Sequence, residues 1–189
     1  MGRLIIEQIV SADGSAQDAD GGMNHVPSTV DDGGCDVDQR ARLADVEAVV
    51  LGANTYRLFS GHWPQVTEDQ DLLASILNTR PKHVVSNSLT EAPWGAFAPA
   101  TVERGDGVAT IRRLKAHYSG EIVLWGSLTL AAGLFDAGEV DVLRLRIVPT
   151  LAGGRRTFTT PDLGVRRLEL VESRAYSGGQ IVVKYALPQ

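Results

Sequence analysis

The sequence predicts a single α/β domain in which a mostly parallel sheet ends in an antiparallel hairpin. Over the first two-thirds of the 189 residues, short apolar strand patterns alternate with segments of helical spacing. Such alternation is typical of parallel β–α–β units. The last third carries strand patterns around a short glycine-containing turn, which is typical of an antiparallel hairpin. No linker or repeat divides the chain, so one domain over 1–189 is expected.

Three strands and three helices are predicted before residue 90. The strands are apolar runs, and the helices carry apolar residues at spacings of three and four. Asn54 is expected to cap the second helix, and Pro81 ends the third. The predicted strands cover 3–10, 47–52 and 82–89, and the predicted helices cover 38–46, 53–61 and 70–78.

The second half supplies two helices, two strands and the hairpin. In the strand at 141–154, leucines alternate with Arg144 and Arg146, which predicts that one face of this strand lies in solvent. The predicted helices cover 107–118 and 127–138, the strands cover 121–125 and 141–154, and the hairpin pairs 166–176 with 180–187.

Residues 11–36 form a long segment, rich in glycine and aspartate, without a hydrophobic period. Loops of this length are usually functional lids or mobile segments. The one cysteine of the sequence, Cys35, lies here, so no internal disulfide can form. We interpret it as an incidental thiol, with a reactive thiol as the alternative.

Composition and charge exclude several classes of protein. The chain is 43% hydrophobic and 22% charged, with a net charge of −5 and a pI near 5.3. This composition is typical of a soluble globular protein. The acidic balance argues against general nucleic-acid binding, which requires a basic face. The N-terminal segment resembles neither a signal peptide nor a membrane span, so no membrane association and a cytoplasmic location are expected.

Three predicted strands end in small or hydroxyl-bearing residues at the point where a turn or helix begins. These residues are Gly52 with Asn54 and Thr55, then Ser86 to Ser88, then Gly126 with Ser127 and Thr129. The carboxyl ends of parallel strands meet at one edge of a sheet, where ligands bind. Helix starts at such an edge attract phosphates. The pattern therefore predicts a site for a phosphate-bearing ligand, with simple helix caps as the alternative.

Common catalytic motifs are missing from the sequence. No G-x-G-x-x-G follows a strand, no Walker lysine loop occurs, and no G-x-S-x-G precedes a helix. The four histidines have no metal-ligand spacing, so no metal site is predicted. His83 is interpreted as structural, and His117 as a favourable charge at a helix end.

Five segments, in order, resemble the dihydrofolate reductase-like superfamily, and within it the reductase domain of bifunctional riboflavin-biosynthesis deaminase-reductases. They are VSADG at 10–14, VVLGANTY at 49–56, KHVVSNSL at 82–89, VLWGSLTLAAGLF at 123–135 and LRLRIVPTLAGGRRTF at 143–158. The resemblance extends over about residues 3–187. It implies a three-layer αβα fold, NADPH as hydride donor, and a small pterin, ribosylaminopyrimidine or related carbonyl or imine substrate. It also implies a homodimer.

The resemblance further implies which residues hold the cofactor. Ala53 stands where many dihydrofolate reductases have an arginine, so the cation for a 2′-phosphate is either Arg104 or absent, and the preference for NADPH over NADH comes from the resemblance alone. The residues implied for phosphates are Gly52, Asn54 and Thr55; those beside the adenosine 2′-phosphate are Ser86, Asn87 and Ser88; those of the pyrophosphate turn are Trp125, Gly126, Ser127, Leu128 and Thr129; and those along the nicotinamide are Val10, Ser11 and Gly14.

The substrate side offers fewer residues. Counting back from Gly52, the helix carboxylate of dihydrofolate reductases falls on Asp36, with Asp38 close by. Either could bond a ring N–H and feed a proton, or could cap the helix. Glu7 and Gln8 are unusual in an apolar strand, because buried Glu is uncommon unless paired. One of them is interpreted as a substrate contact, with a partly exposed strand as the alternative.

Two further alternatives stay open at this stage. The segment PTLAGGRR at 149–156 could bind a substrate phosphate or could be a solvated turn. The protein could also be a nucleotide-binding module without catalysis, because a cofactor site and a chemistry are separable on one fold.

The strand at 180–187 is apolar on both faces, which predicts that a second copy covers part of the C-terminal third.

Overall fold

The computed structural model describes residues 1–26, 33–153 and 156–188. Over these ranges, the strands are β1 (Arg3–Ser11), β2 (Val46–Gly52), β3 (Lys82–Val85), β4 (Thr101–Glu103), β5 (Glu121–Leu124), β6 (Val142–Val148), β7 (Glu169–Ala175) and β8 (Ile181–Ala186). The α-helices are α1 (Cys35–Leu43), α2 (Ala53–His62), α3 (Ala74–Thr79), α4 (Gly107–His117) and α5 (Leu128–Asp136).

All the strands belong to one sheet, in the order β4-β3-β2-β5-β1-β6-β8-β7. The pairs from β4 to β6 are parallel. Strand β8 runs antiparallel to both β6 and β7. The prediction of a mostly parallel sheet with an antiparallel C-terminal hairpin is confirmed.

Helices cover both faces of the parallel part, which gives the three layers. Because side chains alternate along a strand, Leu4 and Ile6 face the layer of α4 and α5, whereas Ile5 faces the layer that contains α1, α2 and α3. All three side chains are fully buried. A strand buried on both faces reads as a continuous apolar run, as residues 4–6 of β1 and 48–51 of β2 do.

Several predicted boundaries differ from the structure. Strand β4 was not predicted, because its three residues carry one apolar side chain. Helix α1 begins at Cys35 rather than at residue 38, and α3 covers a shorter stretch than 70–78. Asn54 does not cap α2: the N-cap is Gly52, and Asn54 Oδ1 instead accepts a hydrogen bond from Arg57.

The prediction that the arginines of β6 lie in solvent is wrong. Arg144 is 2% exposed and Arg146 is also largely covered, because α1 packs over this face of β6. Arg144 pairs with Glu7 and Arg146 pairs with Asp36. The leucine-bearing face of β6 is therefore the face that points away from α1.

The segment after β1 is held by two aspartates. Asp13 accepts hydrogen bonds from the Ser11 hydroxyl and from the backbone N–H groups of Ala152 and Gly153. These bonds, that from Ser11 first, lower the pKa of the Asp13 carboxyl. Asp18 accepts from Asn24 and His25. The structure describes only part of the segment 11–36, since 27–32 lie outside the described residues. That this segment forms a lid stays a prediction.

Candidate functional site

Strands β1 and β5 part at the carboxyl edge of the sheet, and we call this point of divergence the crevice. Pairing between these strands ends at Ile6 and Leu124, whereas β1 stays paired with β6 as far as Ser11. The helix after β5 and the helix after β1 lie on opposite faces. This is the topological switch point at which α/β sheets bind ligands.

Two helix starts meet beside this crevice. The Gly52 N–H before α2 donates to the Gly126 carbonyl before α5 at 3.1 Å. A β-carbon on Gly52 would overlap that of Ser127, so only glycine permits this approach. Within the described stretch 33–153, neither α2 nor α5 has an acidic residue in its first turn. The positive ends of two helix dipoles therefore lie together without a carboxylate, as a bound phosphate requires.

Gly126 is required by its conformation and by its neighbour. Its φ of 56° is in the left-handed region, which side-chain-bearing residues rarely adopt. A β-carbon there would also overlap the Thr55 hydroxyl oxygen. The peptide bond that joins Gly126 to Ser127 is cis. The structure thus brings together the predicted residues Gly52, Thr55, Gly126 and Ser127.

Ser127 also caps α5, so the alternative prediction of a helix cap at this junction is confirmed for this residue. Its Oγ accepts from the Leu130 N–H at 3.3 Å. Leu128 is half-buried and Thr129 is exposed in the first turn. Capping by Ser127 satisfies one backbone donor and leaves the remaining donors of the first turn to a ligand.

The ends of β3 and β4 form the second polar region. Asn87 Oδ1 accepts from the Gly105 N–H at 2.6 Å, and Arg104 donates to the carbonyls of Asn87 and Leu89. Ser86 Oγ accepts from the backbone N–H groups of Ser88 and Leu89. Arg104 is therefore an exposed cation held beside the predicted residues Ser86, Asn87 and Ser88.

The start of α4 differs from the other two helix starts. The Asp106 carboxylate caps it by accepting from the Ala109 N–H at 2.7 Å, so a negative charge already lies at this dipole. A β-carbon on Gly107 would lie 2.6 Å from Leu130 Cδ1, so α4 begins against α5. The β3–β4 region is thereby continuous with the junction of α2 and α5.

The residues predicted to lie along the nicotinamide follow the point at which β1 parts from β5. Val10 is 4% exposed and Ser11 is 1% exposed. The Ser11 hydroxyl is engaged by Asp13 and Ser15, so it orders the turn rather than facing a ligand. Gly14 is exposed, with a φ of 80°.

Glu7 is the centre of a buried polar cluster on the α1 side of the crevice. Its carboxylate accepts from Arg144 Nη1 at 2.7 Å, from Trp125 Nε1 at 2.9 Å, and from Gln39 Nε2. Glu7 and Gln8 are each 8% exposed, so the alternative of an exposed strand is wrong. The bond from Trp125 links β1 to the turn before Gly126 and fixes the indole at the crevice.

Asp36 and Asp38 lie in the first turn of α1, but capping is not their role. The N-cap is Gly34, and within the described residues no side chain caps it. Arg146 Nη1 donates to Asp36 Oδ1 at 2.5 Å. Asp38 Oδ2 accepts from the Tyr176 hydroxyl at 2.7 Å and pairs with Arg174. Asp36 thus faces β6, whereas Asp38 faces the C-terminal hairpin.

Sequence reasoning missed the cationic partners of these carboxylates. The Tyr176 hydroxyl, which donates to Asp38, also accepts a hydrogen bond from Arg42. Burial raises the pKa of this phenol, the bond from Arg42 lowers it, and the bond to Asp38 raises it further. The signal available in the sequence was the pair Glu7 and Gln8 in an apolar strand, which implied an unidentified buried partner. That partner, Arg144, is distant in sequence.

The fold is that of the dihydrofolate reductase-like class. The structure is similar to dihydrofolate reductase from Enterococcus faecalis complexed with NADP(H) and RAB-propyl, with a TM-score of 0.63, 16% identity, and coverage of 99% of this chain and 97% of that one. A pyrimidine reductase-like protein from Corynebacterium diphtheriae gives a TM-score of 0.72 at 18% identity, with 99% and 92% covered.

The chain belongs to the RibD C-terminal domain family, whose model matches residues 3–182. The chain is similar to the diaminohydroxyphosphoribosylaminopyrimidine deaminase/5-amino-6-(5-phosphoribosylamino)uracil reductase of Thermotoga maritima, with a TM-score of 0.68, 16% identity, and coverage of 98% of this chain and 56% of that one. It is 24% identical to the "Uncharacterized protein YyaP" of Bacillus subtilis, over 97% of this chain and 94% of that protein. Across the described ranges, no helix has both the length and the apolar character needed to cross a bilayer.

Proposed function

We propose that the protein is an NADPH-dependent reductase that transfers a hydride to a small heterocyclic, carbonyl or imine substrate of the pterin or ribosylaminopyrimidine type. The observation that carries the proposal is the contact between the starts of α2 and α5 at Gly52 and Gly126, beside the crevice. Membership of the RibD C-terminal domain family supports it. The NADP(H) named for the Enterococcus enzyme supports the choice of cofactor.

The chain's own residues fit such a cofactor. The backbone donors at the starts of α2 and α5 bind the pyrophosphate. Arg104 and the turn at Ser86 to Ser88 bind the adenosine 2′-phosphate, since a guanidinium pairs well with phosphate oxygens. Val10 and the turn after it place the nicotinamide in the crevice. NADPH, when bound, supplies the hydride.

The substrate then lies between the crevice and α1. Reduction adds a hydride to carbon and a proton to the attached nitrogen or oxygen, so one polar group must exchange a proton with solvent. Asp36 suits this role best, because a quarter of its side chain is exposed, whereas three donors already surround Glu7. Glu7 then orients Trp125 and Arg144, and Asp38 holds the hairpin against α1.

The neighbours favour an aminopyrimidine over a pterin. Two of them carry pyrimidine or uracil reductase in their names. A ribosylaminopyrimidine phosphate requires a cation, and Arg156 lies in the segment that the sequence nominated for such a phosphate. Arg155 of the same segment lies outside the described residues.

The direct test is NADPH oxidation with purified protein, followed as loss of NADPH absorbance. We expect turnover with 5-amino-6-(5-phosphoribosylamino)uracil or dihydrofolate, and a loss of kcat of about a hundredfold or more in Asp36→Asn, in the range for removal of a general acid. Asp45→Asn is the control, since Asp45 is exposed beyond the end of α1. Absence of oxidation with every substrate would contradict reductase activity.

A second function is favoured by one observation. Each candidate carboxylate, Glu7, Asp36 and Asp38, faces an arginine, and an ion-paired carboxylate is a poor proton donor. The protein would then be a non-catalytic NADP-binding module with the reductase fold. Binding of NADPH without its oxidation by any heterocycle distinguishes this module from the enzyme.

A further inference from the structure

Gln8 has a buried side-chain nitrogen that lacks a hydrogen-bond acceptor within the described residues. The residue is 8% exposed, and within the described residues its Nε2 has no acceptor. A buried amide donor left unpaired destabilises the folded state, so such groups are rare in folded proteins and require an explanation. Glu7, its neighbour on the opposite face of β1, has three donors in contrast.

The position of Gln8 places this donor at the crevice. Gln8 is two residues beyond Ile6, where pairing with β5 ends, and its partner across the strands is Leu145 of β6. By the alternation of β1 it lies on the α5 side, between Ile6 and Val10. Both of these neighbours are apolar and buried.

The chemistry of the donor limits what can bind it. An amide N–H requires an acceptor, and its apolar neighbours favour a neutral oxygen, because burial of an ion there would carry a large desolvation cost. A carbonyl oxygen on a planar ring meets both requirements. Such an oxygen is present on a nicotinamide carboxamide and on a uracil or pterin ring.

We propose that Gln8 is a ligand-binding residue whose Nε2 donates a hydrogen bond to a carbonyl oxygen of the planar ring held in the crevice. The inference rests on the proposed function, since that function supplies the ring. It assigns to Gln8, rather than to a carboxylate, the recognition of the ring on the α5 side. It also explains why an amide is tolerated in a strand that is otherwise apolar on this face.

The test compares Gln8→Leu and Gln8→Glu with the wild type. Leucine removes the donor at similar volume, and glutamate retains the shape with oxygens at both positions. Gln65→Leu is the matched control, because Gln65 lies in an exposed turn after α2, where its amide donates to Gly61. The dissociation constant for NADPH is measured by calorimetry, the KM for 5-amino-6-(5-phosphoribosylamino)uracil by NADPH oxidation, and stability by urea unfolding.

We expect Gln8→Leu to unfold at the same or a higher urea concentration than the wild type and yet to bind about tenfold more weakly, as for the loss of one buried hydrogen bond. A weaker dissociation constant for NADPH identifies the ring as nicotinamide. An unchanged dissociation constant with a raised KM identifies it as the substrate. Gln8→Glu should raise the same one of these two constants as Gln8→Leu does, and Gln65→Leu should change neither the dissociation constant nor the KM.

Two results would overturn the inference and are distinguishable. If the wild type binds NADPH and both Gln8 variants match it in dissociation constant and KM, Gln8 contacts no ligand, although the proposed function stands. If the wild type does not bind NADPH, the proposed function itself fails and the inference fails with it. Should Gln8→Leu not fold, Gln8→Met, which also lacks the donor, takes its place in both comparisons.

Discussion

Arg144 donates to Glu7 across two central strands at 2.7 Å, and both side chains are at least nine-tenths buried. The pair connects β1 with β6 beneath α1, and its carboxylate also holds Gln39 and Trp125. Buried pairs are costly to break, because removal of one partner leaves an uncompensated charge.

Arg144→Met should therefore destabilise the protein by about 3–5 kcal/mol in urea unfolding. The double variant with Glu7→Gln should be more stable than Arg144→Met alone, because a neutral amide requires no counter-charge. A double variant that is no more stable than Arg144→Met would show that Arg144 is not needed to compensate the buried charge of Glu7.

The stability of the protein should depend on pH through Lys82. Its Nζ donates to the carbonyls of Leu77, Asn78 and Arg80 at 3.0, 3.1 and 2.8 Å. Burial lowers the pKa of Lys82 from 10.5 to about 8. Between these two values the unfolded chain binds more protons than the folded one, so stability rises with pH.

Lys82→Met isolates this effect. From about pH 7.5 to about pH 9.5, the unfolding free energy of the wild type should rise relative to that of the variant by about 2 kcal/mol, the amount that follows from such a shift. A constant difference across this range would mean that Lys82 has the same pKa in the folded and unfolded chains.

Arg104 should distinguish the two nicotinamide cofactors. Arg104→Ala should weaken NADPH binding about tenfold, as for loss of one charge-assisted hydrogen bond, and leave NADH binding unchanged, because NADH lacks the 2′-phosphate. Arg112→Ala is the control, since Arg112 is an exposed arginine of α4 paired with Glu139. Equal effects on both cofactors would remove Arg104 from the 2′-phosphate site.

The C-terminal hairpin should form a dimer interface. The face of β6, β8 and β7 that points away from α1 carries partly or largely exposed apolar side chains, namely Leu145, Ile147, Leu170, Ile181, Val183 and Tyr185. Contiguous exposed apolar surface of this kind marks interaction sites. Light scattering should give about twice the chain mass of 20.2 kDa.

Ile181→Glu should reduce that mass to the monomer, because it places a charge on the apolar face. Val165→Glu makes the same kind of change at a fully exposed residue outside the sheet and should leave the dimer intact. A wild-type monomer at micromolar concentration would contradict the proposed interface.

The predictability of each feature from sequence depended on whether its signal was local. Short segments of sequence contain the whole signal for the alternation of strands and helices and for the strand-to-helix junction at Gly126 and Ser127, and both were predicted. The burial of Arg144 was not, because alternating leucine and arginine looks the same whether the arginines face water or distant carboxylates. Likewise, the N-cap of α1 is Gly34, which has no side chain, so the usual capping side chain did not mark the position at which this helix begins.

The central claim is that the junction of α2 and α5 holds a phosphate-bearing cofactor, and a comparison of two glycine variants tests it most directly. In Gly126→Ala the new β-carbon overlaps the Thr55 hydroxyl and the backbone is strained, whereas in Gly133→Ala, within α5, it meets nothing within 4 Å. Calorimetric titration with NADPH should show binding to the wild type and to Gly133→Ala, and its loss in a folded Gly126→Ala. Wild-type affinity for NADPH in Gly126→Ala would contradict the account.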